Sequence, residues 1–140
     1  VLEFNVRMGD PETQVVLPLL DEDLVPYLLK AAKGELGSSK RLKRKTLTAV
    51  HIVKAAYGYP GTQGVAVRKG DAITCNKISP SSQVYFAGVG EDQGSLITQG
   101  GRVLGVTALG ENLSQARKSA YTDLKQISFA GEQFRSDIGQ

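Results

Sequence analysis

Leu2-Glu3-Phe4-Asn5-Val6-Arg7-Met8, followed by Gly9-Asp10-Pro11-Glu12, is the stretch on which the reading of this chain turns. Residues 2–8 alternate strictly between apolar and polar side chains, which is the period of a strand with one buried face. Leu2, Phe4, Val6 and Met8 then point one way and Glu3, Asn5 and Arg7 the other, so three functional groups share a face. Two oxygen donors at i and i+2 suit Mg²⁺ bridging the phosphates of a nucleotide. A guanidinium next along the same face suits a carboxylate or a transferring phosphoryl group, where developing charge has to be neutralised. The competing account of so short a pattern is the solvated face of an edge strand.

Outward from this stretch, Gly9-Asp10-Pro11 breaks the strand, with Asp10 suited to cap a helix and Pro11 to its first position. The helix runs toward Leu20, limited or bent by Pro18. Asp21 or Asp23 caps a second helix whose stripe is Leu24, Tyr27, Leu28 and Ala31, with Pro26 in its first turn and Gly34 or Gly37 at its end. Residues 34–46 mix Gly, Ser and basic side chains and read as a linker or boundary. Beyond it, Thr46 to Ala56 and Gln83 to Gly88 read as strands and Gly58-Tyr59-Pro60-Gly61 as a turn. Leu96 to Thr98, Gln99-Gly100-Gly101 and Arg102 to Leu109 predict a hairpin. Apolar residues at 113, 116, 120, 124 and 127 predict one amphipathic helix within Asn112 to Ile127, packed on a sheet, and Phe129 to Ile138 closes the chain as an extended segment.

Composition excludes several classes. The 140 residues are 41% hydrophobic and 22% charged, ordinary values for a globular protein with its own core. The longest apolar stretch, Val15 to Leu20, is too short for a membrane-spanning helix. No secretory signal is visible, and a single cysteine, Cys75, rules out an intramolecular disulfide, so the cytoplasm is the expected compartment. One Cys and one His, His51, cannot build a zinc site of the Cys/His type, so any metal has to be a hard ion held by oxygen. Residue 1 is Val and the only methionine is Met8, from which a fragment without its natural beginning is expected. The positives at 40, 41, 43, 44 and 45 outnumber the whole net charge of +3, leaving the remainder net acidic and dividing the chain into differently employed pieces.

Arg7-Met8-Gly9-Asp10-Pro11-Glu12-Thr13-Gln14 continues the opening pattern. It is joined in order by Gly58-Tyr59-Pro60-Gly61, Lys69-Gly70-Asp71 with Ile73-Thr74, Ala87-Gly88, Gly100-Gly101-Arg102-Val103-Leu104 with Val106-Thr107-Ala108, and Arg135 with Asp137-Ile138-Gly139. On these motifs the chain resembles the C-terminal part of the phosphoribosylamine–glycine ligases, the glycinamide ribonucleotide synthetases of the ATP-grasp superfamily, over essentially its whole length. The resemblance implies an α+β architecture: the end of an ATP-grasp domain (strand plus helices) in residues 1–38, a basic linker 39–46, and a small β-rich C-terminal domain with one amphipathic helix in 47–140. It implies ATP-dependent joining of glycine to 5-phosphoribosylamine through a glycyl phosphate in purine biosynthesis, with ATP and Mg²⁺ or Mn²⁺. Glu3 and Asn5 look like the metal ligands, and Arg7 like the arginine that holds the acyl phosphate or the glycine carboxylate. Gly9, Asp10, Pro11 and Glu12 look like the loop and helix start shaping the substrate pocket. These residues contain no ATP-binding lysine region or glycine-rich phosphate loop, so the fragment is expected to be inactive without the N-terminal part of its parent.

Two rival functions carry their own tests. Another ATP-grasp carboxylate–amine ligase or a biotin-carboxylase relative shares Glu-x-Asn-x-Arg and differs in substrate, bicarbonate and biotin in place of glycine and phosphoribosylamine for the latter. A non-catalytic module would use residues 40–45 on an acidic partner or RNA, although that run lacks the interleaved aromatics of a nucleic-acid binder and reads first as a solvated linker. Gly100-Gly101-Arg102 reads as a hairpin with a surface arginine, Tyr59 as part of a plain turn that could border a cleft, His51 as structural, and Cys75 as a thiol without an activating partner.

Overall fold

The computed structural model describes residues 1, 3–37, 41–62 and 64–140; Leu2 of the expected strand and Lys40 of the basic run lie outside them. In chain order the elements are α1 (Thr13–Val16), a 3-10 turn (Leu17–Leu19), α2 (Val25–Ala32), β1 (Thr48–Ala55), β2 (Thr74–Cys75), β3 (Ser82–Phe86), β4 (Val89–Asp92), β5 (Ser95–Thr98), β6 (Arg102–Gly110), α3 (Leu113–Leu124) and β7 (Ile127–Ser128). The α+β class expected from sequence holds.

An antiparallel sheet ordered β1-β6-β3 organises the molecule. Residues directly opposite one another in such a ladder share a face. Val50 with Ala108, and Ile52 with Val106 and Val84, therefore face one way, while His51 with Thr107 and Gln83, and Val53 with Gly105 and Tyr85, face the other. α3 covers the first face with the buried stripe Ala116, Ala120 and Leu124, joined by Ile127 and Phe129. Its start is capped: Asn112 Oδ1 accepts from the Gln115 amide at 3.0 Å, and Gln115 Oε1 reaches back to the Glu111 amide at 3.1 Å. Such a cap contributes about 1 kcal/mol.

The largest wholly buried side chain is Lys54 on β1. Its Nζ donates to the Leu124 carbonyl at 3.0 Å, to the Ile127 carbonyl, and to Glu132 Oε1 at 2.8 Å, and it lies 5.4 Å from the Phe134 ring centroid. This cation ties the end of α3 and the start of the C-terminal segment to the sheet. Residues 129–138 are irregular rather than extended, with one bridge between Gln133 and Ala55. Arg117 holds them on α3 through the carbonyls of Ile138 and Ser136, and Tyr121 through that of Arg135.

The expected hairpin over 96–109 does not form. β5 pairs with β4, and β6 pairs with β1 and β3. The hairpin turn lies at Gln93-Gly94, where both residues have positive φ (47° and 78°), as a two-residue hairpin turn requires. Gly100 and Gly101 are not among the glycines of positive φ. Instead the amides of Gln99 and Gly100 bond to the Gly88 carbonyl, at 2.7 and 3.2 Å, and the Gly88 amide bonds to Arg102. A Cβ on Gly88 would stand 2.6 Å from Gly100 Cα and 2.8 Å from the Arg102 carbonyl oxygen, backbone atoms that cannot swing away. Gly88→Ala is accordingly expected to cost about 3 kcal/mol, the upper part of the usual overpacking range, read as a lowered urea midpoint. An unchanged midpoint would show that this crossing is not tight.

The N-terminal part departs further from expectation. Residues 3–8 form no strand, and their apolar face is open to solvent, with Phe4 82% and Val6 94% exposed. Alternation encodes a face, but a strand also needs a neighbouring ladder, and no described strand of this chain supplies one. The first helix begins at Thr13, not Pro11, and no side chain caps it. Asp10 does not cap because its carboxylate is used elsewhere. Pro18 falls in the 3-10 turn, and the second helix begins after Asp23, whose Oδ1 accepts from the Val25 amide at 2.9 Å. It ends at Ala32 and is closed by Gly34, with the Gly34 amide bonded to the Ala31 carbonyl and the Glu35 amide to that of Lys30. On this helix Val25, Leu28 and Leu29 remain more than half exposed.

The described part of the basic run is anchored and not free. The Lys45 amide donates to the Leu19 carbonyl and the Asp21 amide to that of Lys43, while Lys45 Nζ donates to the Pro18 carbonyl. Glu22 accepts from the Lys43 amide and from Tyr27 Oη, and these bonds lower its pKa below the ordinary carboxylate value. Among the described residues no helix is long and apolar enough to cross a membrane.

Candidate active site

Glu3, Asn5 and Arg7 are brought together although the strand is absent. Asn5 Nδ2 donates to Glu3 Oε1 at 3.2 Å, Arg7 Nη2 donates to Asn5 Oδ1 at 2.7 Å, and Arg7 Nη1 donates to the Met8 carbonyl at 3.1 Å. All three side chains are exposed. The Asn5 carboxamide turns its nitrogen to the Glu3 carboxylate and its oxygen to the Arg7 guanidinium, so the three groups follow one another in the order of the sequence pattern. The donor chemistry fits a hard divalent ion, since two protein oxygens plus phosphate and water oxygens make an ordinary Mg²⁺ environment. No cluster of three or more His, Cys, Asp or Glu is found among the described residues.

The polypeptide then enters the loop Gly9–Glu12. The Thr13 amide and hydroxyl both bond to the Gly9 carbonyl, closing the first turn of α1. Glu12 folds back over Gly9, so that a Cβ there would meet its carboxylate. Asp10 has both oxygens committed: Oδ1 accepts from Gln14 Nε2 at 2.7 Å and Oδ2 pairs with Arg102 Nη2 at 2.9 Å. Arg102 Nη1 also donates to the Asp10 carbonyl at 3.1 Å. Asp10 thus serves to shape the loop, and Arg102 is not the unengaged surface arginine expected from the sequence.

The loop lies on the sheet face opposite α3. Asp10, Gln14, His51, Tyr85, Arg102 and Gly105 border a narrow hollow between the two. His51 Nδ1 is 2.7 Å from Thr107 Oγ1, and that hydroxyl donates to the Gln14 carbonyl at 3.0 Å. The imidazole fits because Gly105 has no side chain: a Cβ there would stand 2.2 Å from His51 Nε2. Burial lowers the His51 pKa from its ordinary 6.5, opposed by the Asp10 charge. The unfolded chain therefore binds this proton more readily than the folded one, so stability rises as pH climbs toward 6.5 and levels off above it. His51→Asn is expected to flatten that part of a plot of urea midpoint against pH, and an unaltered slope would locate the effect elsewhere.

With this geometry in place, comparison with known proteins decides the family. The phosphoribosylglycinamide synthetase C domain matches residues 49–140. The chain belongs to the phosphoribosylglycinamide synthetase family. A phosphoribosylamine–glycine ligase described as chloroplastic, from Arabidopsis thaliana, is 44% identical over 144 residues, covering 99% of this chain and 26% of the relative. The phosphoribosylamine–glycine ligase of Synechocystis is 45% identical, covering 99% of this chain and 33% of the relative. The crystal structure of the Thermotoga maritima phosphoribosylamine–glycine ligase superposes with a TM-score of 0.81 at 38% identity, over 99% of this chain and 33% of that one. The chain thus spans a quarter to a third of the length of these synthetase relatives.

Other residues singled out by the sequence take structural places. Tyr59 lies in a turn with its ring against Gly101. Cys75 is exposed on β2, and partial burial pushes its thiol pKa up, away from reactivity. Sequence reasoning missed Lys54, Arg102 and Thr107 as organising residues. Two of them carried a signal, since Lys54 and Thr107 are polar residues directly flanked on both sides by apolar ones in their strands.

Proposed function

We propose that this chain is the C-terminal part of a longer ATP-dependent ligase that joins glycine to 5-phosphoribosylamine, yielding glycinamide ribonucleotide, ADP and phosphate. The observation that carries this reading is the Glu3–Asn5–Arg7 array running directly into a loop held on the family's C-terminal domain. In this reading Glu3 and Asn5 hold Mg²⁺ or Mn²⁺ against the nucleotide phosphates, where the ion supplies neutralising charge. Arg7 spends only part of its fork on Asn5 and Met8, and the rest serves the glycine carboxylate and the acyl phosphate formed from it. Gly9, Asp10, Pro11 and Glu12 shape the pocket for the attacking amine. The parent's substrates and its N-terminal partner segment follow from the same reading, as does the division at 39–46 into ATP-grasp end and C-terminal domain. A single cysteine suits a reducing compartment such as the cytoplasm.

Glycine-dependent ADP formation by the full-length protein tests this. Glu3→Gln is expected to raise the Mg²⁺ concentration needed for half-maximal rate by about tenfold, since it removes one anionic ligand. An unchanged metal requirement would remove Glu3 from the ion, and bicarbonate-dependent rather than glycine-dependent ADP release would point to a different ATP-grasp ligase.

A further inference from the structure

We infer that the C-terminal sheet positions the Gly9–Glu12 loop and the start of α1 for reaction through Thr107, His51 and Arg102; this rests on the reading that the loop shapes the substrate pocket. The bonding order follows from proton counting. A hydroxyl has one proton, and a carbonyl only accepts, so the Thr107 proton points at the Gln14 carbonyl and the Thr107 oxygen must accept from His51. His51 therefore carries its proton on Nδ1, which sets the hydroxyl's direction. At the other end of the loop, Arg102 grips residue 10 twice, through the carboxylate at 2.9 Å and the carbonyl at 3.1 Å. The remaining Asp10 oxygen is held by Gln14 Nε2, which links the two grips.

These contacts join residues 92 and 93 positions apart and belong to the sheet face that α3 does not cover. The Arg102–Asp10 pair is about half exposed, and such pairs add little to global stability. What the fork and the hydroxyl contribute is direction: they set where the loop backbone stands relative to Arg7. Thr107, His51 and Arg102 are thus positioning residues, acting on the reaction only through the loop.

The experiment compares Thr107→Val, Thr107→Ser and Arg102→Met in the full-length protein, reading amide hydrogen exchange over residues 10–16 together with kcat and KM for each substrate. Thr107→Val and Arg102→Met are expected to speed exchange in the loop and to lower kcat/KM for glycine-dependent turnover at least about tenfold, because small misplacements are amplified in rate. KM for ATP stays within twofold and Thr107→Ser recovers both readouts. Unchanged exchange, faster exchange with unchanged kinetics, or a Thr107→Ser variant as impaired as Thr107→Val each overturns the proposal. A wild-type protein without glycine-dependent activity would instead sink the ligase reading. The exchange measurement still decides the grip in that case, which stands only if both Thr107→Val and Arg102→Met expose the loop.

Discussion

Arg7→Ala in the full-length protein is expected to lower the turnover of glycine-dependent ADP formation by roughly a hundred- to a thousand-fold, the effect typical of deleting one donor aimed at developing charge. The argument starts from placement. Arg7 donates to the Asn5 oxygen and stands immediately before the loop, and in the proposed reading its guanidinium serves the nucleotide phosphate and the glycine carboxylate. On that proposal its interaction is strongest when the carboxylate oxygen bonds to phosphorus and negative charge spreads over the transferring group, and weaker in the ground state. Turnover is therefore expected to fall far more than affinity for ATP. Steady-state kinetics with ATP and glycine varied separately measures the split. An equal loss in ATP binding would move Arg7 to nucleotide recognition, and a variant with normal kcat would detach it from the chemistry altogether.

Lys54→Met is expected to destabilise the C-terminal domain by about 3–5 kcal/mol, the usual consequence of removing one partner from a buried ionic network. Methionine keeps most of the stem but leaves the carbonyls of Leu124 and Ile127 without their donor at the point where α3 ends. Glu132 also loses its partner, although it is partly exposed and water can replace some of the bond. Glu132→Gln is the milder change, about 1–2 kcal/mol, because a carboxamide oxygen still accepts from Nζ. Urea denaturation followed by circular dichroism gives both values. Since a domain of this kind has only about 5–15 kcal/mol in total, Lys54→Met should remove a large share of it and lower the urea midpoint markedly. A Lys54→Met midpoint equal to that of the parent would show that the network is replaceable by packing alone.

Much of the fold was legible in short-range pattern. The stripe at 113, 116, 120, 124 and 127 predicted α3, although the helix stops at Leu124 and Ile127 falls in β7, because a helix records its buried face within a few residues. β1 and β3 followed from apolar runs bounded by turns. The hairpin at 96–109 failed for a specific reason: Gln99-Gly100-Gly101 resembles a turn in composition, yet its glycines cross the backbone of Gly88 and do not reverse the chain. The true turn, Gln93-Gly94, lacks the Asn or Asp that usually announces positive φ at its first position.

The candidate site divides in the same way. Glu3, Asn5 and Arg7 lie two residues apart, so their common placement is a local property that survives even where the alternating stretch has no ladder to join. By itself, then, the sequence determined the order of the functional groups, the helix α3 with the strands β1, β3, β5 and β6, and the family. Only the tertiary structure decided that β6 runs between β1 and β3, that Lys54 is wholly buried, and that Arg102 and Thr107 hold a loop more than ninety residues away. The physical reason is range: hydrophobic period and capping are written between near neighbours, whereas strand order and cross-chain hydrogen bonds depend on which distant surfaces meet, and a lone Arg, Thr or Lys carries no mark of its partner.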